Sequence, residues 1–211
     1  MIRKTFPVGP LQCNCTILAD PDSREAVVID PGDEAPKILM KLAEDELKVV
    51  AIIHTHAHVD HIGAAAKLAE VTHAPTYLHP EDKFLHDILA EQAMFIGMKA
   101  PQSAPIDLQL EDAQAVHFGK YELGVIHTPG HSPGSVCFDV PGHDICFSGD
   151  TLFAGGIGRT DLWGGDFDTL EKSIRDRLYA LNSAVRVIPG HGPETFIDQE
   201  RKANPFVRAL A

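Results

Sequence analysis

The sequence predicts an α/β protein, an αββα sandwich of two mixed β-sheets packed face to face with helices outside. Two observations carry that expectation. Both halves of the 211-residue chain are rich in short β-type segments, and each half also carries helical patterns. A continuous apolar run of the buried-strand type, KVVAII (48–53), ends directly in a cluster of histidines, where ligand sites of α/β folds tend to lie. No low-complexity linker or change of composition divides residues 1–211, so a single domain is expected.

Taken in chain order, NCTILAD and EAVVID are short β-rich segments, with the turn signals DPDS and DPGD after them. DEAPKILMKLAEDEL sets Ile38, Leu39, Leu42 and Leu47 close to helical spacing. After the histidines, IGAAAKLAEVT reads as a helix beginning just past His61, and PTYLH as a short strand. PEDKFLHDILAEQAMFIGM has the pattern of one or two amphipathic helices, and ordinary helix packing is the role expected of Met94, Phe95, Ile96 and Met98, with lining of an active-site mouth as the alternative. The second half returns to strands at AVHF, YELGVIHT, SVCFDV and DICFSG. The helix FDTLEKSIRDRLYAL, the strand VRVIP and a last short helix within DQERKANPFVRAL complete the chain.

Composition excludes several functions. A formal charge of −12 argues against a phosphate-backbone ligand, which needs clustered Lys and Arg, so no nucleic-acid partner is expected. There is no apolar run long enough to span a bilayer and no signal-type N-terminal segment, so no membrane partner is expected and a cytoplasmic address is. Cys13, Cys15, Cys137 and Cys146 form no CxxC pair and read as small buried apolar side chains or reduced thiols. Nothing in the sequence bears on oligomeric state.

The chemistry is concentrated in IIHTHAHVDHIG (52–63). An imidazole carries polar nitrogens that must find partners when buried, so a core would not choose this run. His56, His58 and Asp60 alternate, and in an extended loop they project to one side, while His61 points elsewhere. One loop can therefore serve two centres. Neutral imidazole and carboxylate suit zinc, with iron or manganese as alternatives. Further ligands stand in Gly-rich turns: His131 in HTPGHSPGS, Asp150 in FSGDTLF and His191 in VIPGHGP. This set makes sense as two divalent ions sharing a carboxylate. His56, His58 and His131 would hold one ion and Asp60, His61 and His191 the other, with Asp150 bridging. Such pairs of ions generate hydroxide at neutral pH, with Asp60 orienting it and taking its proton. His54 has the same parity as His56, and spacing alone leaves it open as a ligand.

THAHVDH, TPGHSPGS, SGDTLF and IPGHGP resemble, in order, the metal motifs of the metallo-β-lactamase superfamily, and most closely its glyoxalase II-like hydrolases. The resemblance implies the αββα fold and the ligand assignment above, and it makes His54 a structural or supporting residue. It implies hydrolysis of a thioester such as S-lactoylglutathione, a glutathione conjugate, by a single-domain enzyme lacking the helical glutathione-binding domain of the full-length members. Because His61 follows Asp60 and the bridging position is Asp150, β-lactam hydrolysis is not expected. Arg159 falls where those members carry a glutathione-binding lysine. It would pair with a substrate carboxylate or, alternatively, form a structural ion pair with Asp161. The segment GRTD also resembles persulfide dioxygenases that use one iron. Activated esters and lactones are further candidate substrates.

Overall fold

The strand Lys48–Ile53, apolar through most of its length, lies inside a six-stranded sheet. The computed structural model describes residues 1–208. They fall into two compact units, one of Met1–Leu110 with His117–Tyr121, the other of Glu111–Val116 with Glu122 onward.

The first unit is built on strands β1 (Ile2–Val8), β2 (Cys13–Ala19), β3 (Glu25–Ile29), β4 (Lys48–Ile53), β5 (Thr76–Leu78) and β6 (Leu108–Gln109), which lie side by side in chain order. The sheet is mixed: β1, β2 and β3 pair antiparallel, whereas β3–β4, β4–β5 and β5–β6 pair parallel. The strand β1 is absent from the sequence reading, because its charges and Pro7 blur the alternation. Such a sequence is tolerated at an edge, which is where β1 lies. Parallel pairing sets Ile29 of β3 beside Ile53 of β4, so both strands end together and release their following loops at the same level.

Helix α1 (Ala35–Glu44) starts with proline in its first turn and buries Ala35, Ile38 and Leu42, one stripe of the predicted pattern. The helix expected after His61 begins earlier. Val59–Ile62 forms a single turn, α2, with extended His58 as its N-cap, and Ala65–Thr72 forms α3. Asp60 and His61 therefore sit on a helical turn rather than in an extended loop, and the alternation inferred for His56, His58 and Asp60 stops at His58. The stretch from Pro80 is a 3₁₀ turn (Pro80–Asp82) followed by α4 (Lys83–Asp87) and α5 (Leu89–Phe95), broken at Ile88. Of the apolar residues beyond it, Met98 packs on the unit's core, but Met94, Phe95 and Ile96 are exposed.

In the second unit, β8 (Tyr121–His127), β9 (Val136–Val140), β10 (Ile145–Gly149) and β13 (Arg186–Pro189) form the body of another six-stranded sheet. Its edges are β14 (Thr195–Phe196) and β7 (Ala115–Phe118), the latter with His117 and Phe118 in the first unit. β10 and β13 pair parallel, whereas β8–β9, β9–β10 and β13–β14 pair antiparallel, so this sheet is mixed as well. A small hairpin, β11 (Leu152–Phe153) with β12 (Gly156–Ile157), follows β10. Helix α6 (Phe167–Ser173) is capped by the Asp166 carboxylate, which accepts from the Thr169 amide at 2.8 Å, and it widens into a π turn over Ile174–Leu178. Leu170, Ile174 and Leu178 form its buried stripe in a core with Cys137, Cys146 and Val187. The last helix, α7 (Ile197–Ala203), stops before Asn204-Pro205, and Ala209 and Leu210 of the expected helix lie outside the described residues.

All four cysteines are buried and unbridged, as expected. No helix among the described residues is long and apolar enough to cross a membrane.

Candidate metal centre

Two clusters of predicted ligands occur, one in each unit. In the first, the chain leaves β4 through buried His54, Thr55, His56 and His58 before turning into α2. The His56 ring lies 4.7 Å from that of His58 and 4.1 Å from that of His61, centroid to centroid. His61 Nε2 is 3.7 Å from Asp60 Oδ2. That spacing is long for a hydrogen bond. It is near the ~3.3–3.5 Å expected of two ligands each ~2.0–2.2 Å from one tetrahedrally coordinated ion.

A buried carboxylate absent from the sequence reading holds this cluster. Asp30, just past β3, accepts from the Thr55 amide through Oδ1 at 2.7 Å and from the Thr55 hydroxyl through Oδ2 at 2.7 Å. Its Oδ2 also lies 3.0 Å from His61 Nδ1. The amide can only donate, and an ionised carboxylate can only accept, so the directions follow. His61 Nδ1–H donates to Asp30. The Thr55 hydroxyl spends its proton on Asp30 and so offers only a lone pair to His56 Nδ1, 3.0 Å away. His56 Nδ1 must then carry hydrogen too. Both rings are locked in the tautomer whose Nε2 has a lone pair, which is the form that binds a metal.

Backbone anchors complete the loop. The Ala57 amide donates to Asp82 at 2.9 Å, and Gln92 accepts from the Val59 amide at 3.1 Å while donating to the Ala57 and Leu85 carbonyls. Cys13 Sγ packs 3.5 Å from His61 Nδ1, and burial pushes its thiol up to about 12. His54 is fully buried, and its Nδ1 donates to the Tyr77 carbonyl at 2.9 Å. Burial drops its pKa to about 4, which fits the structural role expected for it.

The second cluster gathers His131, Asp150 and His191. Asp150 Oδ2 is 3.7 Å from His131 Nε2 and 3.7 Å from His191 Nε2, so one carboxylate oxygen faces both imidazoles. His131 Nδ1–H donates to the Arg159 carbonyl at 2.8 Å, leaving Nε2 as the nitrogen turned to Asp150. Gly158 makes this approach possible: a Cβ there would lie 1.9 Å from the Asp150 carbonyl oxygen and 3.0 Å from His131 Nδ1. Gly32 does the same in the first unit, where a Cβ would lie 1.6 Å from the Asp60 carbonyl oxygen. Arg159 contributes its carbonyl here, while its exposed guanidinium pairs with Asp161 through Nε–Oδ1 at 2.8 Å and Nη2–Oδ2 at 2.9 Å.

The donor set therefore fits divalent metal. Three imidazoles have Nδ1 satisfied by a carboxylate, a hydroxyl or a carbonyl, and carboxylate oxygens stand at ligand-to-ligand distance from Nε2 in both units.

Residues 8–191 match the Metallo-beta-lactamase superfamily. A probable metallo-hydrolase YqgX of Bacillus subtilis is 41% identical over 99% of this chain and 98% of its own. The hydroxyacylglutathione hydrolase GloC of Haemophilus influenzae is 37% identical over 97% of each chain. Among solved structures, the BLEG-1 B3 metallo-beta-lactamase superposes with a TM-score of 0.91 at 38% identity, covering 98% of this chain and 99% of that one. TTHA1623 in a di-iron-bound form gives 0.88 at 41% identity, covering 97% and 100%. The chain belongs to the Metallo-beta-lactamase superfamily and has its α/β sandwich fold.

Proposed function

We propose that this member of the superfamily is a dinuclear metal-dependent thioester hydrolase of the hydroxyacylglutathione hydrolase type, acting on a conjugate such as S-lactoylglutathione. The observation that carries the reading is Asp150 Oδ2, equidistant at 3.7 Å from two imidazole nitrogens, the posture of a bridging carboxylate. The reading assigns His56, His58 and His131 to one ion and Asp60, His61 and His191 to the other, with Asp150 shared. Zinc is the first choice for this donor set, with iron and manganese as alternatives. The 37% identity to a relative named as a hydroxyacylglutathione hydrolase supports the substrate class, and the likeness to a di-iron-bound structure supports two ions.

Divalent ions bound there supply Lewis acidity toward a carbonyl oxygen and acidify coordinated water. Asp60, its side chain only partly exposed, orients the attacking water and takes its proton. Oxygen bonds to the acyl carbon, the C–S bond breaks, and the sulfur departs with the electron pair. A thiolate leaves readily, so no general acid is needed, and none is assigned. The buried Asp30–Thr55 pair keeps His61 and His56 in their ligating tautomer through the cycle. Arg159 is assigned to a substrate carboxylate, which must share or displace Asp161 to reach the guanidinium. Four reduced, buried thiols fit a cytoplasmic address.

Metal analysis of the purified protein, run with S-lactoylglutathione turnover, oxygen uptake on glutathione persulfide and nitrocefin hydrolysis, tests the reading. Two metal ions per chain with thioester cleavage are expected. One iron with oxygen uptake would replace the hydrolase by a persulfide dioxygenase. Nitrocefin cleavage without thioester turnover would favour the β-lactamase description carried by its BLEG-1 neighbour.

A further inference from the structure

Helix α2, the single turn that carries Asp60 and His61, has no cap of its own. A helix leaves its first amides without intrahelical acceptors, and the N-cap side chain normally supplies one. The residue at that position is His58, whose imidazole makes no capping bond and is assigned to metal. The acceptor comes instead from α5, which packs on α2: Gln92 Oε1 takes the Val59 amide at 3.1 Å.

The nitrogen of the same carboxamide is occupied as well. Gln92 Nε2 donates to the Ala57 carbonyl at 3.1 Å and to the Leu85 carbonyl at 2.7 Å. Ala57 stands between His56 and His58, and its amide donates to buried Asp82 at 2.9 Å. One side chain therefore grips the carbonyl between the two histidines of the first ligand set and the amide just ahead of Asp60 and His61. Gln92 is 2% exposed, so bulk water does not replace a bond lost there. The three bonds need one acceptor and two donors at that reach. An ionised glutamate lacks the donors, lysine and arginine lack the acceptor, and asparagine is a methylene short.

We propose that Gln92 is a positioning residue of the metal centre. It caps α2 from outside in place of His58, which leaves that imidazole for ligation, and it holds the His56–His58 pair in fixed relation to Asp60 and His61. This role rests on the ligand assignment proposed above and is exerted through backbone groups.

Gln92→Met keeps side-chain length and removes all three bonds, and Gln92→Asn keeps the carboxamide but shortens its reach. Thr72→Val is the control: it deletes a hydroxyl bond to the Leu68 carbonyl (2.7 Å) at the last residue of α3, in the same unit. In metal-free protein, hydrogen exchange at the Val59 amide should quicken by about 10-fold in Gln92→Met relative to the amides of β3 and β4, and less in Gln92→Asn. Thr72→Val should leave that ratio alone. Zinc affinity, read by chelator competition, should fall by about 10-fold or more in Gln92→Met, less in Gln92→Asn, and not in Thr72→Val. Parental Val59 exchange or zinc affinity in both Gln92 variants, or an equal loss in the control, would overturn the role and leave the hydrolase reading intact. A parent that holds one ion, with that affinity lowered only in the Gln92 variants, would support the role and sink the dinuclear reading.

Discussion

Asp30 Oδ2 lies 3.0 Å from His61 Nδ1 and, through the Thr55 hydroxyl, reaches His56 Nδ1 as well. A single buried carboxylate thereby fixes the tautomers of two histidines assigned to different ions. Asp30→Asn keeps the shape but turns an amide N–H₂ toward groups that all donate. Metal affinity should fall by about 10- to 100-fold, and the protein should lose about 2–4 kcal/mol of stability. Thr55→Val, which removes only the hydroxyl, should weaken metal binding by about 10-fold. Chelator competition and urea unfolding measure these losses; unchanged affinity in both variants would remove Asp30 and Thr55 from the centre.

Gly32 and Gly158 each press bare backbone against the carbonyl of a carboxylate residue. Gly158→Ala should displace Asp150 and His131, cost about 1–3 kcal/mol or more, and lower metal content. Gly32→Ala should act in the same way on Asp60. Thermal melts with and without added zinc show it: added metal should rescue the parent far more than either variant.

Burial lowers His54 to about 4, against an ordinary value of 6.5. Above pH ~6.5 neither state binds that proton, and the imidazole costs nothing. As pH falls toward 4, the unfolded chain takes up a proton that the folded chain refuses, so stability declines through that window. Between pH 7 and 4.5, with chelator present, the parent should lose about 2 kcal/mol more than His54→Leu. Parallel curves would show that His54 is accessible to protons in the folded state.

The thiols should be silent. Cys13 is pushed up to about 12 by burial, and Cys15 rises well above the ordinary range for the same reason. Cys146 is raised by its hydrogen-bonded neighbour Cys137 and by burial, whereas Cys137 is lowered, its own burial outweighed by hydrogen bonds with Cys146, Thr128 and Thr151, and is kept from reagent by complete burial alone. Iodoacetamide at pH 8 should label none of the four in the native protein and all of them in urea, as read by mass spectrometry. Fast native labelling of Cys13 would show that the packing around His61 opens.

The sequence made the histidine loop legible because its ligands are neighbours in the chain and follow a strongly apolar strand. His131, Asp150 and His191 were legible from the glycines around them, and Gly158 shows why such residues are needed. Asp30 was not, because its partner Thr55 lies in the loop after another strand, and only the parallel register Ile29–Ile53 brings the two loops level. The available signal was faint: a carboxylate and a metal-type loop at the same end of two consecutive buried strands. Asp60 was placed in an extended loop because alternation was continued past His58, where the backbone turns helical. Met94, Phe95 and Ile96 match a helix-packing pattern but face solvent, since α5 ends at Phe95. Periodicity cannot report where a helix stops. In the structure the Arg159 guanidinium pairs with exposed Asp161, the partner that a substrate carboxylate would share or displace.

Asp30 also has a left-handed backbone, with φ of 49°. That region admits glycine, asparagine and aspartate cheaply and penalises almost every other side chain. Glycine would offer no acceptor, asparagine the wrong polarity, and glutamate a longer arm on a backbone it resists. Two unrelated demands, one steric and one electrical, intersect there on a single amino acid. A saturation library at this position should return one functional survivor among twenty.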